Sequence, residues 1–428
     1  MAGWTPHHWD PVEGSGLPRS ARKSGNYSSY RPDPLSGSSL RLDPEVDATL
    51  ARAEQAVREL DRRSFTGLVP LARLLLRSEA IASSRIEGIA PSPKQAALAE
   101  LGLHESVSGV SQAARLVAQN MTVVAQASAA IAAAEHVVVD QLVALQRSLL
   151  TDTPRLHGLR RTQNWVGGSA YHPLEAEFVP PAPQDVPSAM EDLVDYMNGA
   201  AHSPIVQAAL VHAQFETIHP FADGNGRVGR ALIHTVLTRR GLTQASILPV
   251  SLVLATFDTR YIEGLTAFRH DATPDSETAH RARQTWIAVF AGAVIDAANQ
   301  ASTLVDEVGE LHEDWFARIQ HHRGESGRRR ALRSDSAVRA IIDGLPGTPV
   351  LTPTSVRRIH GVSMNAASKA LESLHGADIL TTASIGRGLR AYLCPDVLDL
   401  VTLTERRLAS TRFDTRASSP NRPVPQAP

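Results

Sequence analysis

From residue 219 to residue 230 the chain reads His-Pro-Phe-Ala-Asp-Gly-Asn-Gly-Arg-Val-Gly-Arg, which sets a titratable base, a carboxylate, a glycine-rich turn and two guanidinium groups in one short stretch. Together those types suit phosphate chemistry. His219, with an ordinary pKa of about 6.5, can take a hydroxyl proton near neutral pH. Asp223 is the kind of carboxylate that holds Mg2+ when substrate phosphates complete the coordination. Gly224-Asn225-Gly226 lets backbone approach an anion closely, and a helix starting there adds free N–H groups and the positive end of its dipole. Arg227 and Arg230, three residues apart, lie on one face of such a helix, and each guanidinium fork matches two phosphate oxygens. The residues alone describe attack of a hydroxyl on a nucleotide phosphorus, with metal and arginines stabilising the developing charge. A single Asp-Gly or Asn-Gly pair is an ordinary turn; it is the whole set of spacings that carries the reading.

Two helices must position these groups. The first is expected to start at Ser203 as N-cap and Pro204 as first helical residue, with Ile205, Val206, Ala209, Leu210, Ala213 and Phe215 as its buried stripe. It should stop just before His219, because Pro220 disfavours the helical region for the residue preceding it. A second helix should begin near Arg227, burying Val228, Leu232 and Val236.

The stretch resembles the HxFx(D/E)GNGRxxR signature of the Fic (Fido) family, and every fixed position is filled here. The resemblance implies an all-α Fic fold with a small β-hairpin flap. It also implies transfer of AMP from ATP to a hydroxyl of a target protein, with Mg2+. His219 would be the catalytic base and Asp223 the metal residue, while Gly224, Asn225, Gly226, Arg227, Val228, Gly229 and Arg230 bind ATP through its phosphates. Ser83-Ser84-Arg85-Ile86-Glu87-Gly88 is similar to the family's (S/T)xxxE(G/N) inhibitory motif, assigning Ser83, Glu87 and Gly88 to self-inhibition at a helix end; Glu87 would compete with a phosphate for Arg230. The resemblance further places a target-docking flap at about 164–179 and sets Tyr261 against the adenine. Removal of AMP, or transfer of another phosphate-containing group, would use the same site.

Around these motifs the chain divides into an extended N-terminal arm (1–43), a helical region with the inhibitory helix (44–105), the Fic catalytic domain (106–312), a basic linker (313–333), a winged helix-turn-helix (334–408) and a disordered tail (409–428). The last module is expected as helices over Ser336–Asp343, Thr354–His360 and Asn365–Leu374, then strands near Leu380–Ile385 and Leu389–Leu393. Asn365, Ser368 and Lys369, with Arg387 and Arg390 on the wing and Arg328, Arg329, Arg330 and Arg333 before it, would meet DNA. On that reading the protein is a DNA-binding regulator whose Fic site senses nucleotide. The same surface would serve a protein partner or a homodimer.

A net charge of −1 excludes a globally basic nucleic-acid binder. One cysteine, Cys394, excludes an intrachain disulfide and suits a reducing cytoplasm. Gln126 and Ser128 interrupt the alanine-rich run, so no membrane span is expected. Three lysines among 43 basic residues point to a GC-rich bacterial source.

Overall fold

The computed structural model describes residues 1–11, 18–64, 69–244, 247–325, 332–333, 336–386 and 388–411. In chain order its elements are β1 (Gly3–Trp9), β2 (Gly25–Arg31), α1 (Pro44–Ser64), α2 (Val69–Ile86), α3 (Pro93–Gly102), α4 (Gln112–Ala133), α5 (Val139–Leu149), α6 (Val186–Asn198), α7 (Pro204–Ile218), α8 (Asn225–Arg239), α9 (Val250–Thr256), α10 (Asp258–Phe268), α11 (Glu277–Glu325), α12 (Ala337–Gly344), β3 (Val350–Leu351), α13 (Pro353–His360), α14 (Met364–Gly376), β4 (Thr381–Gly386), β5 (Leu389–Leu393) and α15 (Pro395–Thr411). The fold is mostly helical, with antiparallel sheets β1-β2 and β3-β5-β4. It resolves into two compact units: residues 1–55, 123–242 and 259–292, and residues 56–122, 243–258 and 293–428.

In the first unit α7 is the core. Every residue from Ile205 to Ile218 is buried, not only the expected stripe. A helix surrounded on all sides must satisfy its polar side chains internally. Gln207 donates to Tyr196 O at 2.8 Å, Gln214 to Asp33 O at 2.8 Å and Thr217 to Ala213 O at 2.7 Å. α8 packs closely on α7, and a Cβ at Gly229 would lie 2.3 Å from Glu216 Oε1 and 3.1 Å from Phe215 Cδ1.

The N-terminal residues depart from the expected arm. β1 and β2 pair from Gly3↔Arg31 to Trp9↔Gly25. Aromatic packing explains the pairing: Trp4 lies 5.0 Å from Tyr30 and Trp9 lies 6.4 Å from Tyr27, while the Tyr30 hydroxyl donates to His270 O at 2.6 Å.

In the second unit Ala97, Leu98, Leu101, Val110, Ala114 and Ala118 share one core with Val350, Ile385, Ala391, Leu393 and Leu398. The residues expected as a separate C-terminal module thus bury their apolar faces on α3 and α4, and the linear division at 105, 312 and 333 does not match the compact units. Helices 337–344, 353–360 and 364–376 and strands 381–386 and 389–393 lie within two residues of the expected spans. The basic linker is corrected over its first part: α11 runs on to Glu325, because Leu304, Val308, Trp315 and Ile319 continue its buried stripe. Arg328, Arg329, Arg330, Arg387 and the tail from 412 lie outside the described residues. α4 and α11 have the length and apolar content of membrane-crossing helices, a test that core helices also pass.

Candidate active site

His219 caps the C-terminus of α7 with φ 48° and ψ 57°, in the left-handed region. Among the described non-glycine residues only Asp378 shares a positive φ. Pro220 explains why the helix ends there, but the left-handed pose needs support, since it costs on the order of 1 kcal/mol for a residue with a Cβ. That support comes from backbone and buried side chains. The His219 N–H donates to Phe215 O at 2.9 Å, and its carbonyl accepts from Arg160 Nε at 2.9 Å and Asn164 Nδ2 at 3.3 Å. The imidazole is half-buried.

Five residues on, Gly224 takes φ 84° as N-cap of α8, so the helix starts at Asn225, two residues earlier than expected. Its first N–H groups have no intrahelical acceptor and point to where an anion can sit. The Asn225 side chain bonds back along the loop: Oδ1 accepts from Phe221 N at 2.9 Å and Nδ2 donates to Phe221 O at 2.9 Å. It therefore braces the loop between base and turn. Gln146 adds a donor to Asp223 O at 3.3 Å and accepts from Gly158 N at 3.2 Å. Val228 is wholly buried and Gly229 sits in the α7 contact, so of these two only the backbone can serve a ligand. Arg227 and Arg230 are both buried, and Arg230 is 2% exposed. Arg227 Nη2 lies 3.5 Å from Asp223 Oδ1.

The Asp223 side chain is half-exposed and is a lone carboxylate; among the described residues no group of three or more potential ligands surrounds a common point.

The flap is less regular than a two-stranded hairpin. Over 164–179 a single bridge, Val166↔Phe178, joins its arms. Gly167 and Gly168 take φ 74° and 71°, and Trp165 Nε1 donates to Ser169 O at 2.7 Å. Support comes from the N-terminal sheet. Tyr30 N donates to Val179 O at 2.9 Å, Lys23 pairs with Glu175 at 2.6 Å, and Trp9 meets Trp165 edge-on at 5.5 Å. The Arg269 guanidinium lies 3.5 Å over the Phe178 ring.

Tyr261, expected against the adenine, lies in the aromatic packing of the first unit. It is buried, packed on Trp286 and stacked on His212, with its hydroxyl 3.0 Å from His212 Nε2. Complete burial pushes His212 down to about 3, so the ring is neutral. Ser83, Glu87 and Gly88 belong to the second unit. α2 ends at Ile86, and Gly88, with φ 77°, closes it as a Schellman cap: Ile89 N donates to Ser84 O and Gly88 N to Arg85 O, both at 2.9 Å. Glu87 stands exposed at that cap. Asn365 and Lys369 are exposed on α14, Ser368 is half-buried, and Arg390 is exposed on β5.

The sequence reading missed Arg160, Asn164 and Gln146. The first two stand just ahead of the flap glycines in Arg160-Arg161-Thr162-Gln163-Asn164, a polar run whose only signal was its place.

The family model described as Fic/DOC family matches residues 136–237. Those residues are a Fic/DOC domain. It takes in α5 to α8, the flap and the whole signature loop. Among similar curated proteins, protein adenylyltransferase fic-1 of Caenorhabditis briggsae is 34% identical over 123 residues, 27% of this chain and 22% of the relative. Probable protein adenylyltransferase aq_aa38 of Aquifex aeolicus (strain VF5) is 41% identical over 68 residues, 16% and 21% of the two chains. The chain thus spans about a fifth of the length of the curated relatives it matches. A solved Fic family protein from Desulfovibrio desulfuricans G20 has the same fold at 20% identity, with a TM-score of 0.51 over 83% of this chain and 97% of that one. The Fic/DOC domain accounts for the signature loop; the N-terminal sheet that supports its flap lies outside the match.

Proposed function

We propose that this chain is a protein adenylyltransferase that moves AMP from ATP to a hydroxyl side chain of a target protein, itself included, and that Glu87 restrains it. The observation that carries the reading is the brace from Asn225 to Phe221, which fixes a base at the end of α7 and an anion-binding turn at the start of α8 within one short loop. The target hydroxyl oxygen attacks the α-phosphorus, its proton passes to His219, and the bond to pyrophosphate breaks. Arg227, Arg230 and the α8 N–H groups stabilise the charge that builds on the phosphates. Asp223 would hold Mg2+, which supplies further neutralising charge when bound with ATP. Glu87 acts as a brake by competing for Arg230, as its motif implies, and the protein works in the reducing cytoplasm.

The test uses α-32P-ATP with Mg2+ and compares wild type, Glu87→Gly and Glu87→Gly/His219→Ala by labelled protein on a gel. The expected result is a rise of about 100-fold in label for Glu87→Gly, equivalent to releasing about 2.7 kcal/mol. Loss of His219 should then cost about 10²- to 10⁴-fold. Equal labelling by Glu87→Gly and wild type would remove the inhibitory assignment, and label that survives His219→Ala would remove the base.

A further inference from the structure

Arg160 leads into the flap with its side chain buried, and among the described residues no carboxylate neutralises it. Its partners are all backbone carbonyls. Nε donates to His219 O at 2.9 Å; Nη2 donates to Pro181 O at 2.6 Å and Ile218 O at 3.3 Å; Nη1 reaches Thr162 O at 3.4 Å. Its main-chain N–H donates to Pro220 O at 2.9 Å. Burial draws the guanidinium down to about 10, which leaves it charged at neutral pH.

A buried cation without a counter-ion is costly, and an apolar side chain of similar volume would fill the space more cheaply. What the arginine supplies is geometry. Its planar fork reaches three chain segments at once: the last carbonyls of α7, the entry to the flap at Thr162 and its exit at Pro181. Cations at a helix C-terminus also interact well with the dipole there. Asn164 works alongside it, donating to Phe221 O at 3.0 Å and His219 O at 3.3 Å.

We propose that Arg160 is a positioning residue of the transfer site, tying both arms of the flap to the His219 peptide so that a target strand docked on the flap presents its hydroxyl to the base. This rests on the adenylyltransferase reading. The turn on the ATP side is braced by Asn225 and Gln146, to which the Arg160 side chain makes no bond, so the two halves of the reaction should respond differently to the loss of that side chain.

The experiment places Arg160→Met, Arg160→Lys and Asn164→Ala in the Glu87→Gly background. It measures kcat and KM for ATP in self-labelling, backbone hydrogen exchange over 164–179, and the rate at which diethyl pyrocarbonate modifies His219, read by mass spectrometry. Arg160→Met should lower kcat by about 10- to 100-fold while KM for ATP stays within about twofold, since a displacement of about 1 Å suffices for such a loss. Arg160→Lys should recover part of the rate. Exchange across the flap and modification of His219 should both quicken. If Arg160→Met is too unstable to purify, Asn164→Ala should show the same changes at smaller amplitude. A folded variant with unchanged exchange, unchanged His219 reactivity and unaltered kcat would overturn the proposal. If the Glu87→Gly parent carries no label, the adenylyltransferase reading fails, and exchange and His219 reactivity still decide the role of Arg160.

Discussion

The signature loop and the flap are joined by Arg160 and Asn164, yet they are built in opposite ways. From His219 to Arg230 most of the loop is buried, and its own residues hold it: Asn225 spans back to Phe221, and Gly224 turns the chain into α8. The flap has one internal bridge and exposed apolar residues such as Val166 and Tyr171, and it leans on β1 and β2 from the start of the chain. On the proposed function the difference has a reason: a loop that holds reacting atoms to fractions of an ångström gains from local stiffness, whereas a segment that would receive a partner strand needs few contacts of its own.

The largest expected effect follows from cutting the loop's internal brace. Asn225→Ala would orphan the buried Phe221 N–H, at about 1–3 kcal/mol for an unsatisfied group, and would leave the Phe221 carbonyl with its bond from Asn164 alone. Differential scanning calorimetry should show a clear drop in Tm, and self-labelling should fall with it. An unchanged Tm would mean that the loop is not locally stiffened, and the contrast with the flap would collapse.

Gly229→Ala should come next. Helix propensity alone favours alanine by about 1 kcal/mol. Against that, the new Cβ would meet Glu216 Oε1 at 2.3 Å and Phe215 Cδ1 at 3.1 Å inside the α7 contact, an overpacking that costs about 1–3 kcal/mol. The sign is the test: thermal denaturation should show net destabilisation, and a stabilised protein would mean that Glu216 swings aside and the contact is looser than its distances say.

Tyr261→Phe should have a smaller effect, about 0.5–1.5 kcal/mol for the bond to His212, with the affinity for ATP unchanged. A tenfold loss of ATP affinity by calorimetric titration would instead support the adenine contact that the sequence suggested. This residue shows where legibility in the sequence ended. Ser203, Pro204 and Pro220 gave the limits of α7 because each acts on its own peptide, even though the Ser203 side chain makes no capping bond. The helices and strands after residue 336 were legible for the same local reason. The N-terminal sheet was not, since Gly3–Trp9 and Gly25–Arg31 lack a simple apolar alternation and are held by aromatic rings that meet across the pairing. Tyr261 and Arg160 take their roles from partners about 50 residues or more away in sequence, His212 and His219, which no local pattern announces.

The smallest effect on global stability should come from Gly168→Ala, although its local geometry is the tightest of all. At φ 71° a side chain is strained by about 1–2 kcal/mol, and the new Cβ would stand 2.2 Å from Glu175 O and 2.6 Å from Glu175 C. In the signature loop such a clash would be transmitted into the core. In the flap the opposing arm is the 3-10 turn at Pro173–Glu175, whose Pro173 is buried but whose Glu175, the residue the new Cβ would meet, is exposed and tied to Lys23 by a surface ion pair, so that end can move away. Tm should therefore stay within error while backbone exchange from Val166 to Phe178 quickens, because the one bridge between the arms opens. A drop in Tm comparable to that of Gly229→Ala would show the flap to be part of the cooperative core, and the division between a stiff chemical loop and a pliant docking segment would have to be given up.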